Sequence, residues 1–145
     1  MIKKKCIVYG AGTYGQVYAS YLNEHYDVIG FIDDNPIVVD TVIDGKPVIG
    51  DRSYFDHEND RNIDVFVPIG NNKTRVELLS LARIKGFSTP AFVHPDTQIH
   101  ESVKIGSAVY ILPSTSIMPF TSIGDNTMIS MGVNIAHHVM IEPGC

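Results

Sequence analysis

The chain has 145 residues, a formal net charge of −5 and a hydrophobic fraction of 44%. This composition can fill a packed core and excludes global disorder. The acidic balance argues against a nucleic-acid partner, whose binding surface needs a basic stripe. Cys6 and Cys145 form neither a disulfide framework nor a zinc-type spacing. The apolar stretch after the basic start is too short for a signal peptide or a membrane span, so we expect a cytoplasmic protein with no membrane partner.

Apolar strands and helical stretches alternate over about the first 90 residues. Strands are predicted at residues 6–9, 28–32 and 63–67. Helices are predicted at residues 14–25 and 74–85, with a stop at Gly86. Their expected apolar faces are Val17, Tyr21 and Leu22 in the first helix and Val76, Leu79 and Ile84 in the second. Residues 35–62 read as a loop-rich stretch with a turn at 44–47. The alternation predicts a small parallel sheet with flanking helices, about half of a doubly wound dinucleotide fold.

A glycine-rich turn, with Gly10, Gly12 and Gly15, follows the first strand and precedes the first helix. Such a turn brings backbone N–H groups and a helix N-terminus close to a phosphate. The alternatives are a tight turn without a ligand, and an NAD site in which Asp33 binds the ribose. Only one mononucleotide-binding half of the dinucleotide fold fits before the repeat begins near residue 90. The length of the domain therefore favours a nucleotide-sugar over NAD. Asp33 and Asp34 also fit a simple cap on the second strand.

Gly70, Asn71, Asn72 and Arg75 follow the third predicted strand, at the same carboxyl edge of the sheet. The two amides suit hydrogen bonds to a base or sugar, and the guanidinium suits a phosphate. The alternative is a helix N-cap followed by a solvated arginine. Both interpretations stay open at this stage.

A six-residue repeat replaces the alternation after Phe92, with a small or β-branched residue four positions after each isoleucine. The isoleucines are Ile99, Ile105, Ile111, Ile117, Ile123, Ile129, Ile135 and Ile141, with Val93 in phase. Residues two apart in a strand face the same side, so both positions should point into one interior. The pattern predicts a triangular coil in which Ile99, Ile117 and Ile135 stack. Gly106 and Gly124 are expected at corners that need a permissive backbone. A β-sandwich of short strands is the alternative.

The two halves together resemble bacterial nucleotide-sugar (4-amino-sugar) N-acetyltransferases and sialic acid O-acetyltransferases with a left-handed β-helix. The resemblance covers essentially the whole chain, through residues 9–15, 31–34, 69–72 with Arg75, 92–95, the hexapeptides and 134–138. It implies a Rossmann-like α/β half-domain at residues 1–90 that binds nucleotide-sugar. A left-handed parallel β-helix is implied at residues 91–145.

The resemblance also implies an acetyltransferase that moves acetyl from acetyl-CoA to the amine of a UDP-linked 4-amino sugar in surface-glycan biosynthesis. The co-substrate would lie along the coil between subunits of a homotrimer. His137 matches the family's general base, although an ordinary surface histidine is the alternative. His138 is taken with His137 as a candidate catalytic residue. It departs from the acidic residue that often follows that base, and it cannot be a permanent anion. Asp125 and Glu142 are candidates for that role, or the base is weaker.

The chain stops within a hexapeptide, at Cys145, without a capping element. Because family members continue for several coils, we expect a truncated β-helix that acetylates poorly or not at all. The alternative functions are O-acetylation of sialic acid and a truncated, non-catalytic nucleotide-sugar-binding module. An NAD-dependent oxidoreductase is a further alternative.

Overall fold

A computed structural model describes all residues, 1–145. The chain forms two compact units, Met1–Thr89 and Pro90–Cys145. None of the helices combines the length and the apolar character that crossing a bilayer requires.

A five-stranded sheet forms the centre of the first unit. Its strands are Lys4–Tyr9 (β1), Tyr26–Ile32 (β2), Val42–Ile43 (β3), Lys46–Gly50 (β4) and Asp64–Phe66 (β5). They lie in the order β3-β4-β2-β1-β5. Only β3 runs antiparallel to its neighbour, β4, and the other pairs are parallel. The three predicted strands and the Rossmann-like sheet are thereby confirmed.

The hairpin of β3 and β4 corrects the prediction of a loop over residues 35–62. Asp44 and Gly45 have φ values of 48° and 72°, as in the turns that favour two-residue hairpins. The turn prediction was therefore right, but the strands on either side of the turn were not predicted. β4 joins the main sheet beside β2, where Phe31 pairs with Val48. This long-range pairing makes so short a segment a strand.

The helices are Thr13–Leu22 (α1), Tyr54–His57 (α2) and Asn72–Ile84 (α3). α1 buries Gly15, Tyr18, Ala19 and Leu22, and α3 buries Arg75, Leu78, Leu79 and Ala82. Leu22 and Leu79 are buried as predicted, whereas Val17, Val76 and Ile84 are exposed, so the predicted apolar faces were right only in part. Small residues fix the true phase of α1, because they let the helix approach the sheet closely. The predicted stop is confirmed at Gly86, whose φ is +88°.

Three parallel sheets of three short strands each build the second unit. The strands are Phe92–Val93 (β6), Thr97–Ile99 (β7), Lys104–Ile105 (β8), Tyr110–Ile111 (β9), Thr115–Ile117 (β10), Ser122–Ile123 (β11), Met128–Ile129 (β12), Asn134–Ile135 (β13) and Met140–Ile141 (β14). Their orders in the three sheets are β13-β10-β7, β14-β11-β8 and β12-β9-β6. Ile117 pairs with Ile99 on one side and with Ile135 on the other, which confirms the predicted stacking of residues three repeats apart.

The interior of the coil holds the isoleucines and the β-branched residues that precede them. Ile117 and Thr121 are 2% and 1% exposed. The buried threonine hydroxyls are satisfied, since those of Thr115, Thr121 and Thr127 each donate to a backbone carbonyl fifteen residues ahead. This pattern satisfies polar groups without opening the interior to water.

The corners of the coil correct the prediction made for Gly106 and Gly124. Neither glycine has a positive φ. A Cβ on Gly106 would lie 2.3 Å from the Asp125 carboxylate, and one on Gly124 would lie 2.4 Å from the Pro143 nitrogen. These glycines are therefore needed for close stacking of coils. The left-handed backbone position recurs every sixth residue instead, at Ala108, Ser114, Phe120, Asn126, Gly132, His138 and Gly144.

Candidate functional site

The glycine turn joins β1 to α1 and depends on two of its three glycines for its shape. Gly10 has a φ of +106°, and its amide donates to the Ile32 carbonyl at 2.8 Å. A Cβ on Gly15 would lie 1.7 Å from the Gly10 carbonyl oxygen, so only glycine permits this approach. Gly12 differs, because no atom lies within 4 Å of the place its Cβ would take. Gly12 thus leaves open space where a ligand can approach.

An open helix N-terminus lies beside that space. Gly12 is the N-cap residue of α1, no side chain caps the helix, and its first turn carries no acidic residue. Helix N-termini leave backbone N–H groups unsatisfied and carry partial positive charge, which suits a phosphate. A cleft of about 330 Å³ runs past this end, lined by the glycine turn, Thr13, Tyr14, Asp33 and residues 68–70. It lies at the carboxyl ends of β1, β2 and β5, where ligands bind in open α/β sheets.

Asp33 follows β2 and its carboxylate is held by backbone. Its Oδ2 accepts from the Ala11 amide at 2.8 Å, and its Oδ1 accepts from the Asn35 amide at 2.8 Å. The carboxylate thus braces the glycine turn while it lines the cleft. Each oxygen retains accepting capacity, and a hydroxyl donor is its natural partner. The strand-cap alternative and a ligand role are both compatible with this geometry.

Asp34 does not line the cleft, because its carboxylate pairs with Arg52. Arg52 donates to Asp34 from Nη2 at 2.7 Å, from Nε at 3.1 Å and from its backbone amide at 3.0 Å. Burial alone would raise the pKa of Asp34, but the hydrogen bonds from Arg52 outweigh it and the pKa lies below its ordinary value. Burial, and then the neighbouring Asp34, raise the pKa of the Tyr9 phenol. The pair ties the end of β2 to the residues after β4.

The segment after β5 is occupied largely by its own hydrogen bonds. Asn71 is the N-cap of α3, and its Oδ1 accepts from the Thr74 amide at 2.9 Å. Arg75 is 1% exposed, so the solvated-arginine alternative is wrong. Its Nη1 donates to the Ile69 carbonyl at 2.8 Å and its Nη2 donates to Asn72 Oδ1 at 2.9 Å. Of this group only Gly70 lines the cleft, and Arg75 shapes the loop that carries it.

His137 and His138 lie at the corner between β13 and β14, and both are exposed. Their Nδ1 atoms are 3.0 Å apart and their ring planes cross at 89°. His138 has a φ of 56°, and its ring lies 5.0 Å from that of Phe120. The backbone on either side is held by Thr121, which donates to the Ala136 carbonyl at 2.7 Å and accepts from the Val139 amide at 3.1 Å.

The two acids considered as partners of His137 lie at a different corner. Asp125 and Glu142 follow Ile123 and Ile141, whereas His137 follows Ile135 in another sheet. The Asp125 carboxylate accepts from the Ser107 amide at 2.8 Å. Neither acid therefore orients His137, and its hydrogen-bonding neighbour is His138.

The structure brings Gly10, Gly12, Gly15, Asp33 and Gly70 to one cleft, and it places Asp34, Asn71, Asn72 and Arg75 in supporting contacts. Their predicted ligand roles, and those of both histidines, remain predictions. Sequence reasoning missed the Arg52 ion pair and the cleft-lining Tyr14 and Ile69. The hairpin turn at residues 44–45 was the available signal for a strand that ends just before Arg52.

Comparison with known proteins gives one family match and several similar structures. The PglD N-terminal domain model matches residues 5–81. The acetyltransferase domain of PglB from Neisseria gonorrhoeae FA1090 is 25% identical with a TM-score of 0.88, over 98% of this chain and 69% of that one. The same domain is also known in complex with acetyl coenzyme A. A search of curated proteins gave no match.

Two further structures extend the comparison. PerB from Caulobacter crescentus, in complex with CoA and GDP-perosamine, is 26% identical with a TM-score of 0.88, over 97% of this chain and 67% of that one. WeeI from Acinetobacter baumannii AYE is 23% identical with a TM-score of 0.66, over 94% of this chain and 68% of that one, and shares the fold alone. With a family match over more than half of its length and structural neighbours among sugar N-acetyltransferases, this chain belongs to the PglD N-terminal domain family.

Proposed function

We propose that this protein transfers the acetyl group of acetyl-CoA to the amine of a nucleotide-linked amino sugar, a UDP-linked 4-amino sugar used in surface-glycan biosynthesis. The observation that carries the proposal is the open N-terminus of α1 in a cleft lined by Asp33, in a chain whose coil carries an exposed histidine pair. The relatives support it, since one binds acetyl coenzyme A and another binds CoA with GDP-perosamine.

The cleft in the first unit suits the nucleotide-sugar. A diphosphate would lie against the uncapped amides of α1, next to the open space at Gly12. Asp33 would accept hydrogen bonds from ribose or sugar hydroxyls, because an anion repels phosphate but accepts from O–H donors. PerB binds a GDP-sugar, so the nucleobase of the substrate can differ among such acetyltransferases. We propose a UDP-sugar for this protein because its motifs resemble those of the nucleotide-sugar N-acetyltransferase family.

The coil supplies the proton acceptor. The neutral sugar amine attacks the thioester carbonyl, a C–N bond forms, and collapse of the tetrahedral intermediate breaks the C–S bond and releases the thiolate of CoA. His137 accepts the proton that the amine loses. Its exposure leaves the ring accessible, and histidine is the side chain that most often serves as a general base. The thiolate is a good leaving group, so this route needs no covalent enzyme intermediate.

The proposal includes the finer features of the fold and assembly. We assign the coil a left-handed sense, supported by the hexapeptide repeat and by the left-handed backbone position at every sixth residue. We assign residues 1–90 to nucleotide-sugar binding, and we expect a cytoplasmic homotrimer with acetyl-CoA bound along the coil. A nucleotide-sugar-binding module without catalysis is the second candidate, because the chain covers only 69% of the PglB domain.

The test measures binding and transfer separately. Calorimetry would use a UDP-4-amino sugar, GDP-perosamine and acetyl-CoA, and release of free thiol would report transfer to each amine and to sialic acid. Transfer to an amino sugar is expected. Thiol release with sialic acid alone would indicate O-acetylation, and sugar binding without transfer would indicate the binding module. Absence of nucleotide-sugar binding would contradict the proposal.

His137→Ala is the sharpest variant for this function. Loss of a general base should lower turnover about a hundredfold or more, while the exposed position leaves stability unchanged. His100→Ala is the matched control, because it removes another exposed histidine at the equivalent corner two coils earlier. Equal activity in both variants would remove His137 from the mechanism.

A further inference from the structure

The corner that carries His137 offers no carboxylate, and the imidazoles of His137 and His138 contact each other instead. Their Nδ1 atoms lie 3.0 Å apart, within hydrogen-bond distance. A neutral imidazole has one N–H and one lone pair. One of the two Nδ1 atoms must therefore carry the hydrogen and the other must accept it. The contact consequently fixes the tautomers of both rings together.

We propose that His138 is a positioning residue that accepts, at its Nδ1, the hydrogen bond from the Nδ1–H of His137. This rests on the proposed function, in which His137 is the base. The arrangement leaves the lone pair of His137 at Nε2, free to take a proton from the sugar amine. The opposite arrangement puts the hydrogen of His137 on Nε2, where the ring can only donate. A neutral imidazole thus performs the orienting part of the task for which a carboxylate is the usual partner.

The backbone of the corner holds the His138 ring in place. His138 has a φ of 56° and its amide donates to the Pro119 carbonyl at 3.2 Å. Thr121 fixes the residues before and after the pair through its two hydrogen bonds. The ring also packs against Phe120 at 5.0 Å. The hydrogen-bonded backbone of the corner and the contact with the Phe120 ring therefore limit the motion of the acceptor nitrogen.

The residue types at the left-handed corner positions support a specific role for this corner. The other such positions from residue 108 onward carry Ala108, Ser114, Asn126, Gly132 and Gly144, all small. Phe120 and His138 alone carry rings, and they occupy equivalent places in adjacent coils. Their ring centroids lie 5.0 Å apart with the planes tilted by 39°. The corner of His138 therefore differs from the other corners in carrying a pair of rings in contact.

No anion contacts the pair. The residues at the place equivalent to His137 in the two preceding coils are Pro119 and then Glu101, by the register of Ile99, Ile117 and Ile135. Glu101 is therefore two coil spacings away, roughly 10 Å. His100, on the same column of corners, contacts Ser102.

The primary experiment is a long-range ¹H–¹⁵N correlation on the ¹⁵N-labelled protein near pH 8. The expected result is the Nδ1–H tautomer for His137 and the Nε2–H tautomer for His138. In His138→Gly, His137 should revert to the Nε2–H form that predominates for neutral histidine in water. An Nε2–H tautomer of His137 in the wild type would overturn the proposal.

Three substitutions that suit the left-handed position separate positioning from folding. His138→Gly removes the acceptor and should lower kcat about tenfold or more, with the KM values of both substrates unchanged. His138→Asn restores a neutral acceptor and should recover most of the loss. His138→Asp adds an anion of nearly the same shape, which favours the protonated form of His137 and should move the acid limb of the pH profile to higher pH.

Two results would count against the inference. Unchanged kcat in His138→Gly, with the variant folded by circular dichroism, would show that the base needs no partner. The same loss in His138→Gly and His138→Asn would show that the imidazole serves only packing. Wild-type protein with the expected tautomers but no acetyl transfer would contradict the proposed function and leave the pairing intact.

Discussion

The two candidate sites of this protein are built in opposite ways. In the first unit, the residues at the sheet edge are also structural: Asp33 braces the glycine turn and Arg75 holds the loop after β5. In the second unit, the interior and the candidate chemistry are separated by the period of the coil. Ile135 faces in, and His137, two residues later at the corner, is exposed. At the α/β sheet edge the same residues stabilise the fold and form the candidate site. In the coil, different positions of the repeat serve these two purposes.

This difference decides what a substitution can report. At the sheet edge, a change in a cleft residue alters the fold unless the position faces open space. On the coil, exposed corner side chains such as that of His137 can be changed at little cost, whereas the interior residues and the closely packed Gly106 and Gly124 carry the stability. Substitutions in the coil interior, at the glycine turn and at the end of β2 test that division, with expected effects that decrease in this order.

Ile117→Ala should have the largest effect on stability. The side chain is 2% exposed and lies between Ile99 and Ile135, so its loss leaves a cavity that neighbouring coils cannot fill. We expect a loss of about 2–5 kcal/mol in the free energy of unfolding, measured by urea denaturation. Met118→Ala, at a 47% exposed neighbour, is the control and should change it by less than about 0.5 kcal/mol. Equal losses would contradict the inside and outside assignment.

Gly15→Ala and Gly12→Ala separate fold from ligand at the glycine turn. The methyl group that Gly15→Ala adds would meet the Gly10 carbonyl, and we expect roughly 1–3 kcal/mol of destabilisation from this overpacking. Gly12→Ala meets no atom, so its cost should be only about 1 kcal/mol, from the preference of an N-cap position for glycine over alanine. Calorimetry with the UDP-sugar should nevertheless show weaker binding for Gly12→Ala. Unaltered affinity would remove Gly12 from the ligand site.

Asp34→Asn should have the smallest effect, confined to one pH range. The folded-state pKa of Asp34 lies below its ordinary value of 3.8, so the ion pair with Arg52 stabilises the protein above about pH 4. This contribution is lost as the pH falls through the lowered folded-state pKa. Because the pair is partly exposed, we expect under about 1 kcal/mol at pH 7, with no difference from wild type in strong acid. Asp44→Asn, at the exposed hairpin turn, should show no such pH dependence.

Much of the fold follows from local patterns. The six-residue period predicted the coil and its stacking because an interior position repeats at a fixed place on every side. The strands at residues 6–9 and 28–32 were predictable because they are buried apolar runs. The hairpin of β3 and β4 was not, since its segment becomes a strand only through pairing with β2. The helix faces were predicted only in part, at Leu22 and Leu79. In α1 the buried face also contains Gly15 and Ala19, and such small residues carry little hydrophobic signal.

In the candidate site, too, local features were predictable and long-range contacts were not. The glycine turn and Asp33 were predictable because their spacing is local. The sequence placed Arg75 at the sheet edge but could not show that it is buried. Its burial depends on the hydrogen bond to the Ile69 carbonyl and on the helix that turns the side chain inward. The partner of Asp34 could not be predicted, since Arg52 is brought to it by β4, a strand that the sequence did not reveal. Likewise, Asp125 and Glu142 are near His137 in sequence but lie at another corner.

Two repeating patterns of this protein can be read from its residues alone: strand alternating with helix, and then isoleucine at every sixth position. Both are one-dimensional periods that hydrophobic burial imposes on a chain. The pairing of polar groups depends on folding instead, because contacts such as Ala11 with Asp33 and Thr121 with Ala136 join segments that are distant along the chain. The direct contact of His137 with His138 is of this second kind. Adjacency in the sequence allows it, but the left-handed corner and the ring of Phe120 set its geometry.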